Sequence, residues 1–177
     1  EMMGGTSTFN VRRPAWSQRN GVWQWNASGE YLSLRDVELI EELCPSVEYV
    51  TTDSGGSVRV ATQSGAKVSD MQGTTGAYQY IRRWAQDLGR FLNDRDVSLW
   101  DRVVVIGAEV ARDLFGNLDP VGQELRVNSQ RFTVVGVMES MGGGNSPAGS
   151  LDNQVFIPIT TTQSNFVGNK RIWSLLL

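Results

Sequence analysis

Apolar and polar positions alternate along much of the chain, and the changes of period mark its elements. Thr6–Arg12 combines β-branched and aromatic residues and predicts a first strand, ended by Pro14. Ala15–Tyr31 is polar and rich in Trp, Asn, Gly and Ser, which predicts a loop with a short hairpin at Val22–Trp25. Ser33 and Asp36 then form an N-terminal capping signature. Behind them Leu34, Val37, Ile40 and Leu43 recur along one helix face, and Pro45 lies just past its end. Val47–Thr52 and Ser57–Gln63 read as two strands separated by a turn at Gly55–Gly56. Ser64–Gly65 turns the chain into a third strand, Lys67–Gly73. Tyr78, Ile81 and Trp84 predict one or two helical turns, and Asp87–Asp96 reads as a turn-rich connector around Gly89.

The second half opens on Arg102–Gly107, an apolar run without alternation that predicts a buried strand. Glu109–Phe115 reads as a short helix capped by Gly116 or Asn117, and Asp119–Gly122 as a turn. Glu124–Val127 and Arg131–Met138 form a hairpin across Asn128–Gln130. Met141–Ser150 has no core-forming residue between its ends and predicts a flexible loop. Gln154–Ile159 is a strand in which Pro158 marks an edge or a strand end. Thr160–Gln163 opens a short helix, and Arg171–Leu177 is a last strand. Strands outnumber interspersed short helices, so the fold class is α+β.

Composition narrows the chemistry. The chain has 177 residues, 40% hydrophobic and 20% charged, which is globular rather than disordered. A net charge of −3 provides no basic field for a nucleic-acid backbone. Histidine is absent, which removes His–Ser and His–Cys nucleophilic sites and imidazole metal sites. Cys44 is the lone cysteine and can form neither an internal disulfide nor a thiolate cage. No apolar run approaches the roughly 20 residues of a membrane-spanning helix. Glu1–Gly5 has no signal-peptide pattern, and the apolar run at Arg171–Leu177 is unusual for a free terminus, so both ends read as points of excision from something longer.

Individual constellations favour structural readings. Gly107 sits at a strand-to-helix junction, but neither G-x-G-x-x-G nor Gly-Lys-Ser/Thr is present. Glu38, Glu41 and Glu42 fit the solvated face of a helix. Asp94 and Asp96 alternate as calcium ligands would, without the glycine and terminal glutamate such a loop needs. Lys67 and Lys170 are the only lysines, and neither lies in an S-x-x-K pattern. No catalytic, cofactor-binding or metal-binding residue is predicted. Trp84, Trp100 and Trp173 have core-like neighbours and are expected to be buried. Trp16, Trp23 and Trp25 lie in a polar loop, as loop anchors or as contacts to a partner or membrane surface. The glycines Gly142, Gly143 and Gly144 read as a surface loop or a loop that orders against a partner.

Five motifs in order carry a resemblance: Asp87–Asp94 (DLGRFLND); Val103–Gly107 with Ala111 and Leu114–Gly116; Asp119–Gln123 (DPVGQ); Phe132–Met138 (FTVVGVM); and Gln154–Pro158 (QVFIP). Together they resemble the extracytoplasmic, or periplasmic core, domain of MacB-type ABC transporter permeases. The resemblance implies a porter-like β-α-β lobe near the membrane, built from both chain ends at residues 1–88 and 167–177. An inserted mainly-β outer lobe would occupy residues 89–166. Family domains continue past the returning strand with another helix and strand, so the first lobe would lack its C-terminal part.

The same resemblance implies a domain on the extracytoplasmic face of a bacterial inner membrane, flanked by membrane helices and needing no cofactor. Such a domain relays ATP-driven movement to export or extract a substrate, or to signal to a partner. Its implied partners are a second permease subunit, a cytoplasmic ATPase and a periplasmic adaptor or substrate protein. The alternatives are an extracytoplasmic sensor or ligand-binding domain and, behind it, a histidine-free hydrolase.

Overall fold

A computed structural model describes residues 10–12, 16–19, 21–25, 32–142, 150–167 and 174–176. In chain order the first elements are β1 (Asn10–Arg12), β2 (Trp16–Arg19), β3 (Val22–Trp25), α1 (Leu34–Leu43), β4 (Thr51–Ala61), β5 (Ala66–Thr74), α2 (Ala77–Arg82) and β6 (Gln86–Gly89). Then come α3 (Asp94–Ser98), β7 (Val103–Ile106), α4 (Ala108–Phe115), β8 (Glu124–Val127), β9 (Gln130–Met138), β10 (Gln154–Pro158) and α5 (Ile159–Thr162). A π-helical turn (Gln163–Val167) and β11 (Ser174–Leu176) complete the set. The class is α+β, as the sequence predicts.

Local signals explain most of these elements. At the start of α1 the Ser33 amide and hydroxyl donate to Asp36 Oδ2 at 2.7 and 2.8 Å. The hairpin between β8 and β9 turns on Asn128 and Ser129, both at positive φ, as a two-residue type I′ turn requires. The lack of alternation in β7 follows from burial on both sides. Val104 and Ile106 face one cluster, with Val155 and Ile157 of β10, while Val105 and Phe156 face another.

Nine strands form one mixed sheet, with β2 and β3 in a separate hairpin. The large sheet closes on itself. Pairing runs β4-β5-β10-β7-β9-β8 and returns to β4 where Val60 and Ala61 meet Val127 and Arg126. These six strands enclose Val58, Val60, Ile106, Leu125, Phe132, Val134 and Val155, all nearly or completely buried. Helix α4 adds Val110 and Leu114 to this interior, and Phe166 stacks on Phe132 with ring centroids 6.0 Å apart. Outside the barrel wall, Tyr78, Trp84, Phe91, Leu92, Val105, Met138 and Phe156 form a second, aromatic cluster. The barrel takes β4 and β5 from the stretch that the resemblance assigns to the membrane-proximal lobe.

Several expectations need correction. Gly55–Gly56 is not a turn: neither glycine has positive φ, and both continue β4 opposite Gln72 and Met71. A Cβ on Gly55 would make only ordinary contact with Gln72 Oε1 and the Met71 carbonyl, both 3.4 Å away. The predicted connector at Asp87–Asp96 contains a strand and the start of a helix, β6 and α3. All four β6 residues are exposed, so no burial pattern announces the strand; pairing with β9 makes it. Pro158 ends β10, but β10 lies between β5 and β7 and is no edge. Trp100 is 49% exposed at φ 59° rather than buried, because it ends the turn after α3. Trp173, most of the first predicted strand, and residues 143–149 of the predicted loop lie outside the described residues.

Where β6 meets β9 the backbones touch: a Cβ on Gly136 would collide with the Arg90 carbonyl oxygen. A Cβ on Gly56 would meet nothing within 4 Å. Gly136→Ala should therefore destabilise by about 1–3 kcal/mol, lowering Tm by roughly 2–4 °C for each kcal/mol. Gly56→Ala should stay within about 0.5 kcal/mol of the parent. Thermal unfolding of the two variants side by side checks this.

Candidate functional site

β1 and β11 are the outermost described segments of the chain, and the fold brings them together. β1 and β11 are antiparallel neighbours, with Asn10 opposite Leu176, and β11 pairs in turn with the start of β4. Asn10 and Leu176 therefore lie side by side. Behind this layer Val37 of α1 packs with Val50 and Leu175, supported by Leu32, Ile40 and Val47. The face of α1 carrying Glu38, Glu41 and Glu42 is exposed, as its charges require.

β4 joins this layer to the barrel. Its first three residues pair with β11, its last two with β8, and Ser54–Ala61 with β5. Eleven extended residues span roughly 35 Å. At the joint the apolar core gives way to buried hydroxyls. Thr51 Oγ1 lies 2.8 Å from Thr74 Oγ1 and 3.0 Å from Thr75 Oγ1, and Thr52 Oγ1 donates to the Gly73 carbonyl at 3.3 Å. Gly73 is needed there, since a Cβ would sit 2.9 Å from Thr162 Oγ1. The next threonines continue outward: Thr160 Oγ1 donates to Val97 O at 2.7 Å and Thr161 Oγ1 to Asp101 O at 2.9 Å. These bonds tie α5 to α3 and to the turn after it.

Two ion-pair groups stiffen the outer body. Arg90 grips Asp96 with two nitrogens, Nη1 to Oδ2 at 2.6 Å and Nη2 to Oδ1 at 2.8 Å. Asp96 also accepts from the Asn93 amide, while Asn93 Oδ1 accepts from the Asp96 amide, closing the cap of α3. Burial alone would raise the Asp96 carboxyl, but the Arg90 bonds and the Asn93 amide outweigh it and hold the group below the usual carboxylate range. The side chain considered for calcium is thus committed to a guanidinium and a helix cap.

Lys67 of β5 reaches α4, with Nζ 2.8 Å from Glu109 Oε1 and 2.7 Å from Asp113 Oδ2. Partial burial pushes its pKa down, and the bonds to Asp113 and Glu109 more than restore it, leaving it raised. Gly107 permits a close strand-to-helix crossing, where a Cβ would strike the Asp152 carbonyl. Its amide donates to Gln154 O at 2.8 Å and that of Glu109 to Asp152 O at 3.1 Å. These amides are occupied by the chain itself.

The candidate contact residues are dispersed. Trp16, Trp23 and Trp25 lie in the β2–β3 hairpin, where Trp16 is opposite Trp25 and Trp23 opposite Gln18. The three tryptophan positions consequently fall on one face of the ribbon. Gly142 is exposed at φ 63° beyond β9, and Gly143 and Gly144 lie outside the described residues. A cavity of about 280 Å³ is lined by Gln72, Tyr78, Arg82, Trp84 and Gln154. Sequence reading missed the threonine joint, because threonine in strands is unremarkable until its partners are known. It also missed the Asn93–Asp96 cap, whose spacing was visible.

Comparison with known proteins places this geometry. The periplasmic region of MacB from Actinobacillus actinomycetemcomitans superimposes with a TM-score of 0.74 at 20% identity, covering 97% of this chain and 74% of that one. The extracellular domain of the noncanonic ABC-type transporter YknZ from Gram-positive bacteria gives 0.70 at 18% identity, covering 82% and 72%. The fold is thus that of the extracytoplasmic domains of ABC-type transporters. The chain belongs to the MacB-like periplasmic core domain family, whose profile matches residues 2–176.

Curated relatives include the macrolide export ATP-binding/permease protein MacB of Azoarcus sp., 30% identical over 167 residues and 94% of this chain. The MacB of Bdellovibrio bacteriovorus is 26% identical over 155 residues and 88% of this chain. The chain spans 24% of the length of each. It is the ectodomain of a MacB-like ABC transporter permease and lies outside the cytoplasm. Among the described residues no helix is long and apolar enough to cross a membrane.

The Arg90–Asp96 contact has a pH signature. A carboxyl held low in the folded state stabilises fully above its unfolded pKa of about 3.9. That stabilisation is lost as pH falls through the lower folded value. Asp96→Ala should cost about 1.5–3 kcal/mol at pH 7, and the gap to the parent should narrow in strong acid. Urea unfolding at pH 7 and at pH 3 reads both numbers.

Proposed function

We propose that the domain is a lever. It takes up movement where its two ends emerge and delivers that movement at the far side of the barrel, without making or breaking covalent bonds. The observation that carries this reading is the single strand β4, hydrogen-bonded to the end layer at Thr51–Asp53 and to the barrel at Val60–Ala61. A strand held by β5 from Ser54 to Ala61, and by β11 over the three residues before that, transmits displacement as a rigid body. The membrane-proximal lobe, residues 1–88 and 167–177, would then seat the lever through its end layer of β1, α1 and β11, while β4 and β5 of the same stretch join residues 89–166 in the barrel that forms the outer arm.

In the intact transporter two such domains belong to paired permease subunits, and ATP hydrolysis belongs to a separate cytoplasmic domain or subunit. Closure inside shifts the outer arms against each other, and they expel a substrate, extract it or signal to a periplasmic adaptor. The sensor alternative calls for a deep pocket. The cavity of about 280 Å³ is small, and the groove of about 430 Å³ beside β6 is open rather than deep, which favours the lever.

Spin labels test this in the whole transporter. Leu39 on α1 and Val68 on β5 are exposed and belong to the two ends of the body. Labels at both sites of one copy should keep their separation with and without ATP and vanadate. The distance between Val68 labels on paired copies should change by several ångströms on a domain-motion scale of about 2 Å or more. A constant distance between copies, or ATP hydrolysis by the isolated domain, contradicts the lever.

A further inference from the structure

We infer that the outer edge of β6 and the groove beside it form a docking site for an extended, basic peptide strand from a partner protein. β6 is the last strand of its sheet path, and among the described residues no strand pairs with its outer edge. Alongside it runs an open groove of about 430 Å³, bounded by Leu88 of β6, Ala108 and Ala111 of α4, Leu118 and Pro120, with Val137 in its lining. Leu118 is 71% exposed and Leu88 42%, so apolar surface is presented rather than packed. An unpaired edge beside apolar pockets is the arrangement that strand addition uses: the backbone supplies affinity, and alternate side chains supply specificity.

Charge selects the occupant. Asp87 and Asp119 line the groove, and neither has an ion-pair partner among the described residues. The lining holds one cation, Arg112, whose Nε lies 3.5 Å from Asp113 Oδ1, so the two aspartates outnumber it. The rim therefore favours Lys or Arg between the apolar residues of the incoming strand. It also disfavours a second copy of this chain, since two β6 edges paired antiparallel would bring their Asp87 carboxylates together.

The test uses the 177-residue chain and a set of labelled heptapeptides in which Lys alternates with Val, Leu or Phe, with Glu-for-Lys counterparts as controls. Members of the basic set should bind and weaken with added salt. Hydrogen exchange should slow at residues 86–88. Asp87→Lys and Leu118→Asp, both at exposed positions, should each weaken binding by about tenfold without changing the circular dichroism or Tm of the free chain. Failure of every basic peptide to bind overturns the assignment. So do equal binding of the acidic set, protection confined to another segment, or binding indifferent to both substitutions. Self-association of the parent that Asp87→Lys abolishes would identify a second copy as occupant and overturn the basic-strand assignment as well.

Discussion

Hydrogen bonding along β4 is the constraint on which the architecture rests. An extended strand in the middle of a sheet must satisfy its backbone groups on both edges. β4 pairs with β5 along one edge from Ser54 to Ala61, and along the other with β11 at Thr51–Asp53 and with β8 at Val60–Ala61. The short ladder to β8 closes the barrel, and the one to β11 carries both chain ends. Among the described residues no other strand belongs to both structures, so the end layer and the barrel share a backbone, reinforced by the threonine side chains of the joint.

The chemistry at that junction is unusual for a core. Valine and leucine dominate on either side, but the residues between are threonines whose hydroxyls find one another or a carbonyl. Buried hydroxyls of this kind carry a desolvation cost that only specific partners offset. Directional bonds define one arrangement more sharply than apolar packing does, which suits a junction that must hold the angle between two parts. Further out, the Arg90–Asp96 clamp and the Lys67 pair with α4 fix the surface elements by the same means.

Elements whose information is local were legible in the sequence. The Ser33–Asp36 cap and its helix, the doubly buried run of β7, and the Asn128–Ser129 turn all announce themselves within a few residues. β6 does not, because four exposed residues become a strand only through a partner some fifty positions away. α3 lay within reach, since Asn93 and Asp96 have capping spacing, but its brevity let aspartates read as connector. Gly55–Gly56 misled because paired glycines usually mark a turn, and only pairing with β5 keeps them in a strand. The barrel was beyond any local signal: its closing contact joins Val60 to Val127. The family, by contrast, was readable from motif order, whereas the threonine joint and the groove beside β6 depend on three-dimensional neighbours.

The adjacency of Asn10 and Leu176 makes the domain a cassette. Residues directly opposite in an antiparallel pair lie about 5 Å apart. To a host polypeptide, everything between them looks like a loop that returns almost to its starting point. Grafting such a unit between two neighbouring segments asks little rearrangement of the host and adds little closure entropy, however large the grafted body is. The barrel can therefore diversify at its outer rim while the point of attachment stays the same.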